Sequence, residues 1–143
     1  MSGFRKLTEN VLVSPQLGVG DIAEAAASGI TMIVNNRPDG EDPDAPQGAE
    51  IAAAAAAAGL NYVEIPIGHS GFSEPQVDAM IAALDQAEGP ILAYCRSGTR
   101  STFLWALAEA KEGSDPEEIT RIAARAGYDI SPIRALIDML AAH

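Results

Sequence analysis

The sequence predicts an α/β domain of three layers, with a central, mainly parallel sheet of four to five strands and helices on both faces. Three observations carry this. Short apolar runs alternate with segments whose apolar residues recur at helical spacing, and glycines and prolines punctuate the joins. Each strand-like run is also separated from the next by a helix-like one, the order that builds parallel strands with crossover helices. A chain of 143 residues is long enough to bury a sizeable core, so residues 1–143 read as one domain.

Taken in order, Val11-Leu-Val13 forms a short strand, and the turn-rich Ser14 to Gly18 leads to a helix from about Gly20 to Ser28. Asp21 serves its N-terminal end and Gly29 stops it. Ile30 to Asn35 is a buried strand, and the Pro-rich, acidic stretch Arg37 to Pro46 is a loop. Gln47 to Ala58 is a helix ended by Gly59, its seven consecutive alanines giving a slim face that lets it lie close to a sheet. Asn61 to Ile67 is the next strand, and Ser73 to Gln86 a helix with Ser73 at its N-cap and Val77, Met80, Ile81 and Leu84 on one face. Ile91 to Tyr94 is the last strand. Three helices follow, over Ser101–Glu112, Asp115–Ala126 and Ser131–Ala142; Ser114 and Glu117 are spaced as a capping box for the second.

Composition narrows the functional class. A formal net charge of -11 is the opposite of the basic footprint that nucleic acid requires. The N-terminus lacks the apolar core of a secretory signal, and no stretch has the uninterrupted length of a membrane span. One cysteine cannot form an intramolecular disulfide, so a reducing cytoplasm is the expected compartment. The acidic residues Asp39 to Asp44 do not follow a calcium-loop pattern and read as a solvated surface loop. No metal or cofactor is expected.

The chemistry concentrates in Cys95-Arg96-Ser97-Gly98-Thr99-Arg100, between the last strand and a helix. Backbone N–H groups and a helix N-terminus converge on an anion at such a junction. Both the helix terminus and neighbouring arginines favour a thiolate over a thiol, whose free pKa is about 8.5. Small residues let the loop curl with its amides inward, and Gly98 is suited to a positive φ. The alternative is a cysteine buried as a small hydrophobe; the Gly-centred loop and two arginines outweigh it. Cys95 and Arg100 are therefore the catalytic candidates, with Arg96, Ser97, Gly98, Thr99 and Ser101 binding an anion. Arg37, just past one strand end, and His69, just past another, are further candidates for contacting substrate. Each has a plain alternative: a surface pair of Arg37 with Asp39 or Glu41, and a loop histidine without a role. Trp105 and Phe103 read as core residues.

The loop resembles that of rhodanese-type sulfurtransferases and is related to the signature loop of tyrosine and dual-specificity cysteine phosphatases. Further stretches, Val13-Ser-Pro-Gln16, Ile33-Val-Asn-Asn-Arg-Pro-Asp-Gly-Glu41, Tyr62-Val-Glu-Ile-Pro66 and Gly89 to Ser101 with Trp105, resemble a narrower family. That family is the phosphatase-like domain of beta-lactamase hydrolase-like proteins, found alone or fused to persulfide dioxygenases. The resemblance implies a cysteine-phosphatase-like fold and a single catalytic domain. It also implies a small anionic substrate (thiosulfate, a persulfide or a phosphate ester), with a persulfide dioxygenase or other sulfide-oxidation enzyme as partner.

Loop size separates the two chemistries. In the phosphatase signature five residues separate cysteine from arginine, whereas four lie between Cys95 and Arg100. Phosphatases of this kind also carry an aspartic acid after the preceding strand to protonate the leaving group, and Gly68-His-Ser-Gly-Phe-Ser73 has none. Loss of general acid help typically costs about 10² to 10⁴ in rate. The sequence reading therefore expects a sulfurtransferase that carries sulfane sulfur as a Cys95 persulfide. The alternative is a phosphatase working through a phosphocysteine, with His69 as proton donor.

Overall fold

The computed structural model describes residues 3–68 and 70–142. Five strands, β1 (Arg5–Thr8), β2 (Val11–Ser14), β3 (Met32–Asn35), β4 (Asn61–Glu64) and β5 (Ile91–Tyr94), form one sheet in the order β1-β2-β5-β3-β4. The six helices are α1 (Val19–Ala27), α2 (Gly48–Ala57), α3 (Glu74–Gln86), α4 (Thr99–Lys111), α5 (Pro116–Arg125) and α6 (Arg134–Ala141), the last preceded by a 3₁₀ turn over Ser131–Ile133. β2, β5, β3 and β4 run parallel, and β1 pairs antiparallel with β2. The expected three-layer α/β fold is present, as a mixed sheet of five strands.

β5 and β3 are wholly buried, as central strands covered on both faces must be. Leu17, Ile22, Ala25, Ile33, Ile51, Ala55, Leu92 and Tyr94 fill one face under α1 and α2. Of the seven alanines, Ala55 is fully buried on this face and Ala54 and Ala58 pack against it. The other face is larger and carries Val13, Val34, Met80, Leu104, Trp105, Leu107, Ile119 and Ile137 beneath α3 to α6. Trp105 and Phe103 belong to this core, as expected; the Phe103 ring lies 6.2 Å from that of Phe72. The Trp105 indole N–H has no acceptor among the described residues.

Three details depart from the sequence reading. β1 has no counterpart in the sequence pattern, because only Leu7 of its four residues is buried and an edge strand with one apolar anchor leaves almost no periodicity. The strand expected over Asn61–Ile67 ends at Glu64, before Pro66. Ser114 does not cap α5: Asp115 is the N-cap, its carboxylate accepting from Glu117 N–H, and the Ser114 hydroxyl donates to Glu109.

The parallel register brings the carboxyl ends of β2, β5, β3 and β4 to one edge of the sheet. Ligands of open α/β sheets bind beyond that edge. Gln16, Cys95, Arg37 and Gly68 follow those four ends in turn.

Candidate active site

β5 delivers Cys95 and stops. The chain turns through Arg96 and Ser97, and Gly98 takes φ +90, the left-handed conformation open to glycine at no steric cost. α4 begins at the next residue, two positions earlier than the sequence reading placed it, so Arg100 and Ser101 lie on its first turn. Cys95 is fully buried, and its Sγ accepts the Gly98 N–H at 3.1 Å. The expected junction of thiol, inward amide and helix N-terminus is therefore formed.

A cavity of about 460 Å³ opens beside this turn, lined by Arg37, Glu41, Gly68, Arg96, Ser97 and Arg100. Three of the nine cationic side chains of an acidic protein thus meet at one cavity. Arg37, just past β3, faces the same crevice as the cysteine loop. It is almost buried, donates from Nη1 to Gln16 Oε1 and from Nε to Glu41 Oε1, both at 2.9 Å, and its own amide is held by Asn35 Oδ1.

Glu41 enters the sequence reading only as a surface partner for Arg37; that pair is present, nearly buried on the Arg37 side, and the bridge to Arg100 is what the sequence does not show. The loop that carries it reads as solvated, yet the Glu41 side chain is only 22% exposed and bridges Arg37 and Arg100. Arg100 donates to both Glu41 oxygens, Nη1 to Oε2 at 2.7 Å and Nη2 to Oε1 at 2.9 Å, and Nη1 also donates to the Ile67 carbonyl at 2.7 Å. A guanidinium has five N–H donors in a rigid fork. Three are committed to Glu41 and the Ile67 carbonyl, leaving Nε–H and one Nη2–H on a single edge. The Arg100 contact, with help from Arg37, holds the Glu41 carboxyl down at about 2, far below the usual 4.5. Glu41 in return raises Arg100, and the nearby Cys95 sulfur adds to this. The spacing of four signals the contact with Arg37, whereas nothing local signals the contact with Arg100, 59 positions away.

The remaining expected residues divide. Arg96 is exposed at the cavity and makes no ion pair among the described residues, while Ser97 and Thr99 exchange a hydroxyl hydrogen bond at 2.9 Å. Ser101, expected among the anion ligands, is a correction: it is fully buried and donates to Asn36 Oδ1 at 2.8 Å. The first turn of a helix that starts at Thr99 points this side chain back into the sheet. Asn36, also unforeseen, joins four parts of the structure. It donates from its side chain to the Ile65 carbonyl and from its amide to the Tyr94 carbonyl, and its own carbonyl accepts from Ile67 N–H. His69 lies outside the described residues.

A thiol at a helix N-terminus, an arginine fork beside it and a parallel sheet behind define a cysteine-phosphatase-like domain. Residues 3–112 match the family described as "Beta-lactamase hydrolase-like protein, phosphatase-like domain", and the chain belongs to it. A beta-lactamase hydrolase-like protein of Agrobacterium fabrum is 35% identical over 108 residues, covering 76% of this chain and 25% of its own length. The chain thus spans about a quarter of that relative. A solved structure from Neisseria meningitidis, described as a candidate phosphatase, shares 35% identity with a TM-score of 0.86 and covers 98% of this chain and 99% of its own. PTPMT1 in complex with PI(5)P superimposes with a TM-score of 0.72 over 99% of this chain and 98% of its own; at 12% identity that likeness speaks for the fold alone. Sulfur transfer and a persulfide dioxygenase partner find no support in these relatives, and a phosphatase fits them better.

Proposed function

We propose that residues 1–143 form one catalytic domain, a cysteine-dependent phosphatase for small phosphate esters. The observation that carries this reading is the Arg100 fork. Glu41 occupies the Nη1/Nη2 edge and the Ile67 carbonyl the second Nη1 hydrogen, which leaves Nε–H and Nη2–H as a pair, the geometry that matches two oxygens of a phosphoryl group. Amides at the start of α4 supply further donors for the charge that develops on those oxygens. Family membership and the candidate phosphatase of N. meningitidis weigh in the same direction.

In this mechanism the Cys95 thiolate forms a bond to phosphorus as the ester P–O bond breaks, and the leaving oxygen takes a proton. Water then attacks the phosphocysteine, breaking S–P, releasing inorganic phosphate and restoring the thiolate. Glu41, held ionised by two arginines, is a poor proton donor near neutral pH. His69, next to the cavity-lining Gly68 in sequence, takes that role, so esters with good leaving groups depend on it least. Soluble, reducing surroundings suit the free thiol, and no described helix is long and apolar enough to cross a membrane.

The test is turnover of an aryl phosphate, with the phosphocysteine trapped by rapid acid quench and detected by mass spectrometry. Cys95→Ser is expected to lose at least about 10³-fold, as removal of a covalent nucleophile does. Sulfur transfer retains one argument, the four-residue spacing between Cys95 and Arg100. A chain that ignores aryl phosphates but gains one sulfur atom on Cys95 from thiosulfate would reverse the assignment.

A further inference from the structure

Tyr128 lies in the connection between α5 and α6, outside the span of residues 3–112 that matches the family. It is nearly buried, and its hydroxyl donates to the Ser97 carbonyl at 3.1 Å. The Ser97 carbonyl and the Gly98 N–H belong to the same peptide group. That N–H donates to Cys95 Sγ, also at 3.1 Å. One planar amide is therefore held at both ends, accepting a hydrogen bond from Tyr128 on its oxygen and presenting its hydrogen to the sulfur on the opposite side. A carbonyl that accepts a hydrogen bond makes its amide a stronger donor, and planarity fixes the direction of that donor.

The tyrosine is itself locked. The Arg5 guanidinium, from β1, sits 5.3 Å from the centre of the Tyr128 ring and donates from Nη1 to the Ala126 carbonyl. On the other side the turn closes against the ring: a Cβ added to Gly98 would fall 2.2 Å from the Tyr128 oxygen. A side chain any larger than hydrogen at 98 would push Tyr128 away from the peptide it bonds.

We propose that Tyr128 is a positioning residue for the nucleophile: through the Ser97–Gly98 peptide it orients and polarises the N–H that stabilises the Cys95 thiolate. The C-terminal helical segment is then part of the working site as well as a cover for the sheet. This holds for phosphoryl or sulfur transfer, since it concerns only the thiolate. The charged groups around the relay are Arg96 and Arg100 on the cysteine turn and α4, Arg37 and Glu41 from the loop after β3, and Arg5 over the ring. Tyr128→Phe changes none of them.

The readout is the thiolate absorbance step near 240 nm, taken as the difference from a Cys95→Ala reference. With one cysteine in the chain the step belongs to Cys95, and burial pushes the ionisation of Tyr62 and Tyr94 upward, out of its range. Tyr128→Phe keeps the ring and is expected to move the midpoint to higher pH, lowering the thiolate fraction on the acid side about two- to tenfold, the worth of one modest hydrogen bond. A merely structural tyrosine would lower the melting temperature and leave the midpoint in place, and that result overturns the proposal. The native chain gives a second check that needs no variant to fold. In proton–nitrogen spectra the Gly98 amide should shift with the same midpoint as the absorbance step, and a Gly98 amide indifferent to that titration would overturn the proposal as well. Neither measurement depends on phosphatase activity, so failure here and failure of the proposed function are separable.

Discussion

The cysteine turn is held from two sides by different physics. On the cavity side the contacts are ionic: Glu41 clasps Arg100 and Arg37 at a partly exposed rim. On the side packed against the protein they are neutral, with a buried bond from Ser101 to Asn36 and a half-buried one from Tyr128 to the Ser97 carbonyl. An ionic contact at the rim controls where charge sits and which edge of a guanidinium faces the ligand. A neutral contact in a closed environment controls where atoms sit, because an unmatched polar group there is costly. The site needs both, since a cradle of fixed amides is of little use with a wandering arginine.

The largest effect on this contrast comes from Arg100→Lys, which keeps the charge and removes the fork. Aryl phosphate turnover is expected to fall about 10²-fold, the typical cost of losing one well-aimed donor to developing negative charge. Glu41→Gln is isosteric and leaves Arg100 with a weaker partner; turnover is expected to drop roughly tenfold as the free edge loses its orientation. If Glu41→Gln raised turnover instead, the carboxylate would be a competitor for the substrate anion and not a clamp.

Acid sharpens the same point. Glu41 is depressed from 4.5 to about 2 in the folded chain. Its contribution to stability is therefore complete above the unfolded value and is lost as pH falls through the folded one. Thermal melts between pH 5 and pH 2 should show a decline in the native chain that Glu41→Gln lessens. Equal slopes in the two proteins would remove Glu41 as a stabilising group.

The buried side predicts effects on stability before effects on ligand. Ser101→Ala leaves the Asn36 Oδ1 acceptor unmatched and should cost about 1–3 kcal/mol in unfolding free energy. Inorganic phosphate affinity by calorimetry should change far less than with Arg100→Lys; a comparable loss would restore Ser101 to the anion ligands. The smallest effect belongs to Trp105→Phe. The indole N–H lacks an acceptor among the described residues, so its removal offsets part of the lost packing, and stability should stay within about 1 kcal/mol.

The cysteine turn was legible in the sequence because its chemistry is local. A nucleophile, small residues, an αL glycine and a helix start lie within six consecutive positions. The alternation of strands and helices was legible for the same reason: periodicity is a property of neighbours, and it gave β2 to β5 and all six helices to within a few residues at their ends. β1 escaped because one buried leucine makes no period. Ser101 stands beside Arg100 in the sequence, yet a helix turns about 100° per residue, and that rotation sends its hydroxyl to Asn36.

The sequence by itself determined that a lone thiol would stand at the end of a buried strand, beneath a helix terminus and flanked by arginines. Only the tertiary structure decided which residues complete it. Glu41 reaches Arg100 across 59 positions, Asn36 reaches Ser101 across 65, and Tyr128 reaches Ser97 across 31. For Glu41 and Asn36 the physical reason is the parallel sheet, which aligns the carboxyl ends of strands far apart in the chain and makes neighbours of loops that share no local pattern; Tyr128 arrives through the packing of α5 against α4 and β1. A carboxylate in an acidic loop or a tyrosine between two helices carries no mark of its role until that alignment supplies its partner.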